Sequence, residues 1–185
     1  MVRARLQQPR SGEQELNLIT GAPLWLLAIL IVALVAGAVE DALRLRISNI
    51  TSLVVLAIGI CAAAIEGPSM SLWQNAALFV GILILGTAAF AAGMLGGGDV
   101  KLLAATAIWV DLRHAVWLLT LIFLAGGVLA LLYLVSRPFR ARRSKRIPYG
   151  IAIAVGALAI IGVSRGLLQH QERPLPALKI ARPSA

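Results

Sequence analysis

Six apolar runs follow one another along this chain, separated by short polar stretches, and they leave few choices of fold. Lipid offers backbone N–H and C=O groups no partners, so apolar runs of roughly 17–25 residues have to be helices. The runs cover residues 23–39, 50–65, 76–95, 100–110, 114–135 and 147–164. The expected fold class is therefore all-α, a polytopic membrane protein with about six transmembrane helices. The fourth run is an exception: eleven residues at 1.5 Å each reach only about 16 Å, so it starts or ends inside the protein. Residues 1–22 read as a polar N-terminal extension, 23–164 as the membrane unit, and 165–185, with Pro174, Pro176 and Pro183, as a loosely ordered tail. Arg3, Arg5 and Arg10 ahead of the first run, with Ala36-Gly37-Ala38 at its end, resemble a signal peptide. A polar leader of some twenty residues is long for one, which favours a retained span.

The composition agrees: 59% of the 185 residues are hydrophobic and 14% charged. A net charge of +9 raises the question of nucleic acid. The basic residues lie in short clusters between apolar runs, however, and mark topology and contacts with the lipid bilayer; no nucleic-acid partner is expected. If all six segments traverse, Arg44, Arg46, Lys101 and the loop SRPFRARRSKR, residues 136–146, share one face. The density of that short loop makes this face cytoplasmic. Cys61 is the single cysteine, and His114 and His170 show no ligand-like spacing, so neither a disulfide framework nor a metal is expected.

Sorting the acids by side isolates the candidates for chemistry. Glu13, Glu15 and Glu172 belong to the extensions, and Glu66 and Asp111 fall on the outer face. Glu40, Asp41 and Asp99 remain, each at the cytoplasmic end of an apolar helix, where an ionisable group is costly enough to suggest function. Solvated interfacial carboxylates are the plain alternative. The neighbouring residues favour function. Gly96-Gly97-Gly98 removes three side chains just before Asp99, which allows positive φ and close approach by another peptide. After Asp41 comes Ile47-Ser48-Asn49, where Asn49 is placed to cap the next helix. Two aspartates brought together in a partly dry site cannot both ionise easily and share a proton. One then activates a water while the other protonates the leaving amine, which is aspartic-protease chemistry with no thiol, serine or metal.

Three motifs, in order and on one face, resemble the type IV prepilin peptidases, specifically the short form associated with Tad-type (Flp) pili. That family shows an aspartate, five residues and I-P-N; here Asp41 precedes five residues and Ile47-Ser48-Asn49. Its G-G-G-D-x-K-L signature appears as Gly96-Gly97-Gly98-Asp99-Val100-Lys101-Leu102, and its P-Y-G-x-A-I-A as Pro148 to Ala154. The resemblance covers about residues 23–164. It implies six helices, Asp41 and Asp99 as the catalytic pair, and a prepilin or pseudopilin substrate cut at the cytoplasmic surface of the bacterial inner membrane, beside the pilus assembly machinery. Ser48 replaces the expected proline, which loosens the turn. Long-form relatives add a cysteine-rich domain that methylates the new N-terminus with S-adenosylmethionine. Only about ten residues separate the first two runs here, so no methylation and no cofactor are expected.

Around this pair, Gly96, Gly97, Gly98, Lys101, Asn49 and Tyr149 are the candidate loop or substrate-binding residues. Lys101 either strengthens the acidity of Asp99 and orients substrate, or snorkels to headgroups. Tyr149 either donates a hydrogen bond near the site or belongs to the aromatic belt. Glu40 points about 100° away from Asp41 on a helix, leaving it a supporting or solvated role. Gly81, Gly86, Ala88, Ala89, Ala91 and Ala92 in the third run suggest close helix packing. A presenilin-like intramembrane protease shares G-x-G-D but places a tyrosine before its first aspartate, which is absent here. A non-enzymatic transporter or assembly subunit relaying protons through Asp41 and Asp99 is disfavoured, because no acid lies at mid-span and no inverted repeat is evident.

Overall fold

The computed structural model describes residues 18–67, 72–136 and 148–171, with side chains as far as residue 166. The basic stretch from Arg137 to Arg146 and the acids Glu13, Glu15 and Glu172 lie outside the described residues. Helices follow in the order α1 (Leu18–Gly21), α2 (Leu24–Arg44), α3 (Asn49–Glu66), α4 (Leu72–Ala91), α5 (Gly97–Ala107), α6 (Leu112–Ser136) and α7 (Tyr149–Gln171), with no strand among the described residues. Five of them, α2, α3, α4, α6 and α7, are long and apolar enough to cross a membrane. The chain is an all-α polytopic membrane protein.

The remaining expected segment is α5, which begins earlier than its apolar stretch. Gly96 is its N-cap, and Gly97, Gly98 and Asp99 form its first turn. At its far end the backbone needs partners inside the protein. The side-chain amide of Asn75 donates to the Ile108 carbonyl at 3.0 Å. The indole N–H of fully buried Trp109 donates to the Val55 carbonyl at 3.2 Å, in space left by Gly59. Asp111 then starts α6: it is buried, and its Oδ1 accepts the His114 N–H at 2.8 Å and lies 2.5 Å from His114 Nδ1. This is an N-cap. A short helix is thus tied at depth to α3 and α4 while its N-terminus stays at the end of the bundle that carries Asp99.

Helices α2 and α7 both outrun the apolar runs that announce them. Asp41 lies within the last turns of α2 instead of just after it, because its carboxyl is buried and accepts a hydrogen bond there. The helix ends at Leu45, whose φ of 52° is left-handed. At the opposite end of the bundle, Leu18 and Ile19 of α1 are buried in the core and the Arg165 guanidinium donates to the Ala22 carbonyl. Small residues set several close approaches: a Cβ on Gly86 of α4 would stand 2.7 Å from Val100 of α5, whereas Gly81 has nothing within 4 Å. Large apolar side chains such as Val32, Leu85 and Phe123 point outward, as suits a lipid solvent.

Candidate active site

The C-terminus of α2 and the N-termini of α3, α5 and α7 meet at one end of the bundle, and all three sequence motifs meet there with them. Asp41 is 4% exposed, and its Oδ2 accepts the Gly150 N–H at 2.6 Å. Gly150 lies in the first turn of α7, where backbone N–H groups lack helical partners and the helix dipole favours negative charge. The missing side chain is required: a Cβ on Gly150 would lie 2.9 Å from both Cβ and Oδ2 of Asp41.

Asp99, partly buried, sits in the first turn of α5. Its Oδ2 accepts the Gly96 N–H at 3.2 Å, and its Oδ1 is buried with no hydrogen-bond partner among the described residues. Burial and, after it, the charge of Asp41 push the Asp99 carboxyl up from 3.8 to about 6, against the lowering effect of the Gly96 N–H. The two acids therefore sense one another. Ile47, 8% exposed in the loop from α2 to α3, packs beside both Gly98 and Gly150. Its carbonyl oxygen lies 3.0 Å from where Gly98 would carry a Cβ, and its Cδ1 lies 2.8 Å from the equivalent point on Gly150.

Several expectations change here. The glycine run does not supply a positive φ: Gly96 is extended at φ −78°, and the left-handed glycine of that turn is Gly93 at φ 74°. Close approach by a peptide does occur, but the peptide is the chain's own Ile47, and Gly97 faces the ring of Phe90 at 3.5 Å. Asn49 does not cap α3. Ser48 does, its Oγ accepting the Ile50 N–H at 3.1 Å, so the serine that stands in place of proline acts as the cap. Asn49 instead accepts a hydrogen bond from Lys101 Nζ at 2.8 Å, which ties α3 to α5 and turns the ammonium to a partner other than Asp99. Tyr149 packs over Gly126 of α6, its Cε1 3.2 Å from where a Cβ would stand. Glu40 is not merely solvated. Its Oε2 accepts the Ser48 N–H at 2.9 Å and the Thr51 hydroxyl at 3.0 Å. No spacing rule along the sequence announces that bracket.

Outside this group, an open polar cleft of about 730 Å³ is lined by Glu40, Arg44, Arg46, Ile47, Ser48 and Asn49. One carboxyl anchored on a helix N-terminus, a second with a raised proton affinity and a free oxygen, and an adjoining polar cleft together suit proton transfer to and from a substrate.

The fold is thus that of a polytopic helical membrane protein, with Asp41 and Asp99 at one end of its bundle. The chain belongs to the type IV leader peptidase family, whose model matches residues 28–135. It is a peptidase, and the family implies a prepilin substrate. Asp41 and Asp99 fall inside the matched region. The third motif lies beyond it and is brought in by the Gly150 hydrogen bond to Asp41. No curated protein matches the chain, and no solved structure does.

Proposed function

We propose that this leader peptidase is of the aspartic type and hydrolyses the prepilin or pseudopilin leader with Asp41 and Asp99 as its catalytic pair. The reading is supported by the meeting of Asp41, held by the Gly150 N–H, and Asp99, held by the Gly96 N–H, at one end of the bundle beside a polar cleft, where burial and the Asp41 charge raise the Asp99 carboxyl to about 6. One proton is shared. Asp41 accepts a proton from a water, the water oxygen bonds to the scissile carbonyl carbon, the C–N bond breaks, and Asp99 delivers its proton to the departing amine. The pair ends, as it began, with one proton. Asp99 Oδ1, buried and without a protein partner among the described residues, is an unsatisfied polar atom that a water or a substrate group admitted to the site would satisfy.

Arg44 and Arg46, together with the basic residues that lie between α6 and α7 in the sequence, support by the positive-inside rule a site on the cytoplasmic side of a bacterial inner membrane. There it meets nascent prepilins of a Tad-type (Flp) pilus system and the machinery that assembles them. The catalytic unit spans residues 23–164. Pro176-Ala177-Leu178 favours the presenilin-like alternative, being the P-A-L tripeptide of that class. It lies outside the described residues, and the family match outweighs it.

The test is leader removal from a co-expressed prepilin, read as the N-terminal mass of the product. Asp41→Asn and Asp99→Asn each abolish it, while Asp111→Asn, which still caps α6, leaves it intact. Cleavage retained by either of the first two variants refutes the assignment.

A further inference from the structure

Glu40 and Asp41 are adjacent in sequence but serve different neighbours. Successive helix positions point about 100° apart, so Asp41 faces α7 and Glu40 faces the loop that leads to α3. In that loop Ile47 is buried in the core, and the backbone beside it is fastened by side-chain hydrogen bonds. Leu45 turns the chain out of α2 at φ 52°, and residues 46–48 belong to no regular element. The Ser48 N–H, lying before the first turn of α3, has no helical acceptor. Glu40 Oε2 takes that N–H at 2.9 Å and the Thr51 hydroxyl at 3.0 Å, pinning both sides of the junction to α2. A carboxylate accepting two such bonds is a stronger fastener than a neutral acceptor.

Flanked by these bonds, Ile47 packs beside a glycine neighbour of each acid. Its backbone abuts Gly98, the residue before Asp99, and its side chain abuts Gly150, whose N–H holds Asp41. A shift of Ile47 therefore bears on Gly98 and Gly150 together and, through them, on Asp99 and Asp41. We infer that Glu40 is a positioning residue of this peptidase: through Ser48 and Thr51 it holds Ile47 as the spacer between Gly98 and Gly150, and so sets the spacing of Asp41 and Asp99. The inference rests on the aspartic reading proposed above. It also gives Ser48 a second role, because a proline at that position would offer Glu40 no N–H.

The experiment is steady-state leader cleavage by the purified full-length protein in lipid vesicles, with a prepilin as substrate. Glu40→Ala is expected to lower kcat roughly 10- to 100-fold, the cost of a misplacement of about 1 Å, with KM nearly unchanged. Glu40→Gln, which keeps an oxygen acceptor, recovers most of that loss. Ser48→Pro resembles Glu40→Ala, whereas Ser48→Ala, which keeps the N–H, loses much less. If Glu40→Ala does not accumulate as folded protein, the contrast between Ser48→Pro and Ser48→Ala decides. Wild-type kcat in Glu40→Ala, a loss confined to KM, or equal activity in the two Ser48 variants would overturn the inference. Asp41→Asn and Asp99→Asn are run alongside. Two inactive aspartate variants with an unaffected Glu40→Ala sink the positioning role alone, and an active aspartate variant sinks the acid pair with it.

Discussion

Asp99→Asn should inactivate the protein and make its fold more resistant to heat at alkaline pH. In the fold, burial and the charge of Asp41 raise the Asp99 carboxyl from 3.8 to about 6. Below 3.8 the folded and unfolded chains both hold the proton, and Asp99 costs the fold nothing. Between 3.8 and about 6 the unfolded chain releases its proton first, so stability falls as pH rises; above that window the loss is complete. A shift of this size corresponds to about 3 kcal/mol, and screening of the partly exposed carboxyl brings it to about 2 kcal/mol. Asparagine cannot ionise but keeps an oxygen to accept the Gly96 N–H. Thermal melting in detergent at pH 4 and pH 8 measures the difference: groups that do not sense Asp99 cancel between the two proteins, and the Asp41 repulsion, already counted in the Asp99 shift, is absent from the variant. The variant should melt on the order of 4 °C higher than wild type at pH 8 and alike at pH 4. A variant less stable than wild type at pH 8, or a gap independent of pH, would refute the argument.

Other perturbations discriminate between neighbouring residues. A Cβ on Gly98 would press within 3.0 Å of the Ile47 carbonyl, whereas one on Gly97 meets only the Phe90 ring at 3.5 Å. Gly98→Ala should therefore cost about 1–3 kcal/mol and at least tenfold in kcat, and Gly97→Ala much less, both read by melting and cleavage. Gly150→Ala places a Cβ 2.9 Å from Asp41 Oδ2 and 2.8 Å from Ile47 Cδ1, and should lower kcat/KM by about 100-fold or more in the same cleavage assay. Lys101→Met and Asn49→Ala remove two ends of one hydrogen bond, so a double-mutant cycle on unfolding should give a coupling of about 0.5–1 kcal/mol.

What the sequence reveals follows the range of the interactions concerned. The helices were legible because lipid makes apolar length a direct signal, and the shortness of α5 was legible for the same reason. Asp41 and Asp99 stood out because charge at a membrane boundary is rare and three motifs surround them. Their helical context was less clear: α2 continues past Asp41 because the carboxyl is buried against Gly150, a partner 109 positions away that no local pattern names. The same limit hid the bond from Lys101 to Asn49. Ser48 and Asn49 are both good capping residues, and only the backbone geometry, extended at Ser48, decides between them. Composition reads the glycine run as a source of positive φ, yet Gly97 and Gly98 begin a helix and leave room for Phe90 and Ile47 to come close.

As a catalytic pair, Asp41 and Asp99 titrate together. Infrared difference spectroscopy of the purified protein follows the protonated carboxyl band of Asp99 directly as pH is varied. Wild type should titrate near pH 6, the band should vanish in Asp99→Asn, and Asp41→Asn should move the midpoint down by removing the charge that helps to hold the proton. A midpoint near 3.8 in wild type, or one that Asp41→Asn leaves in place, would contradict it.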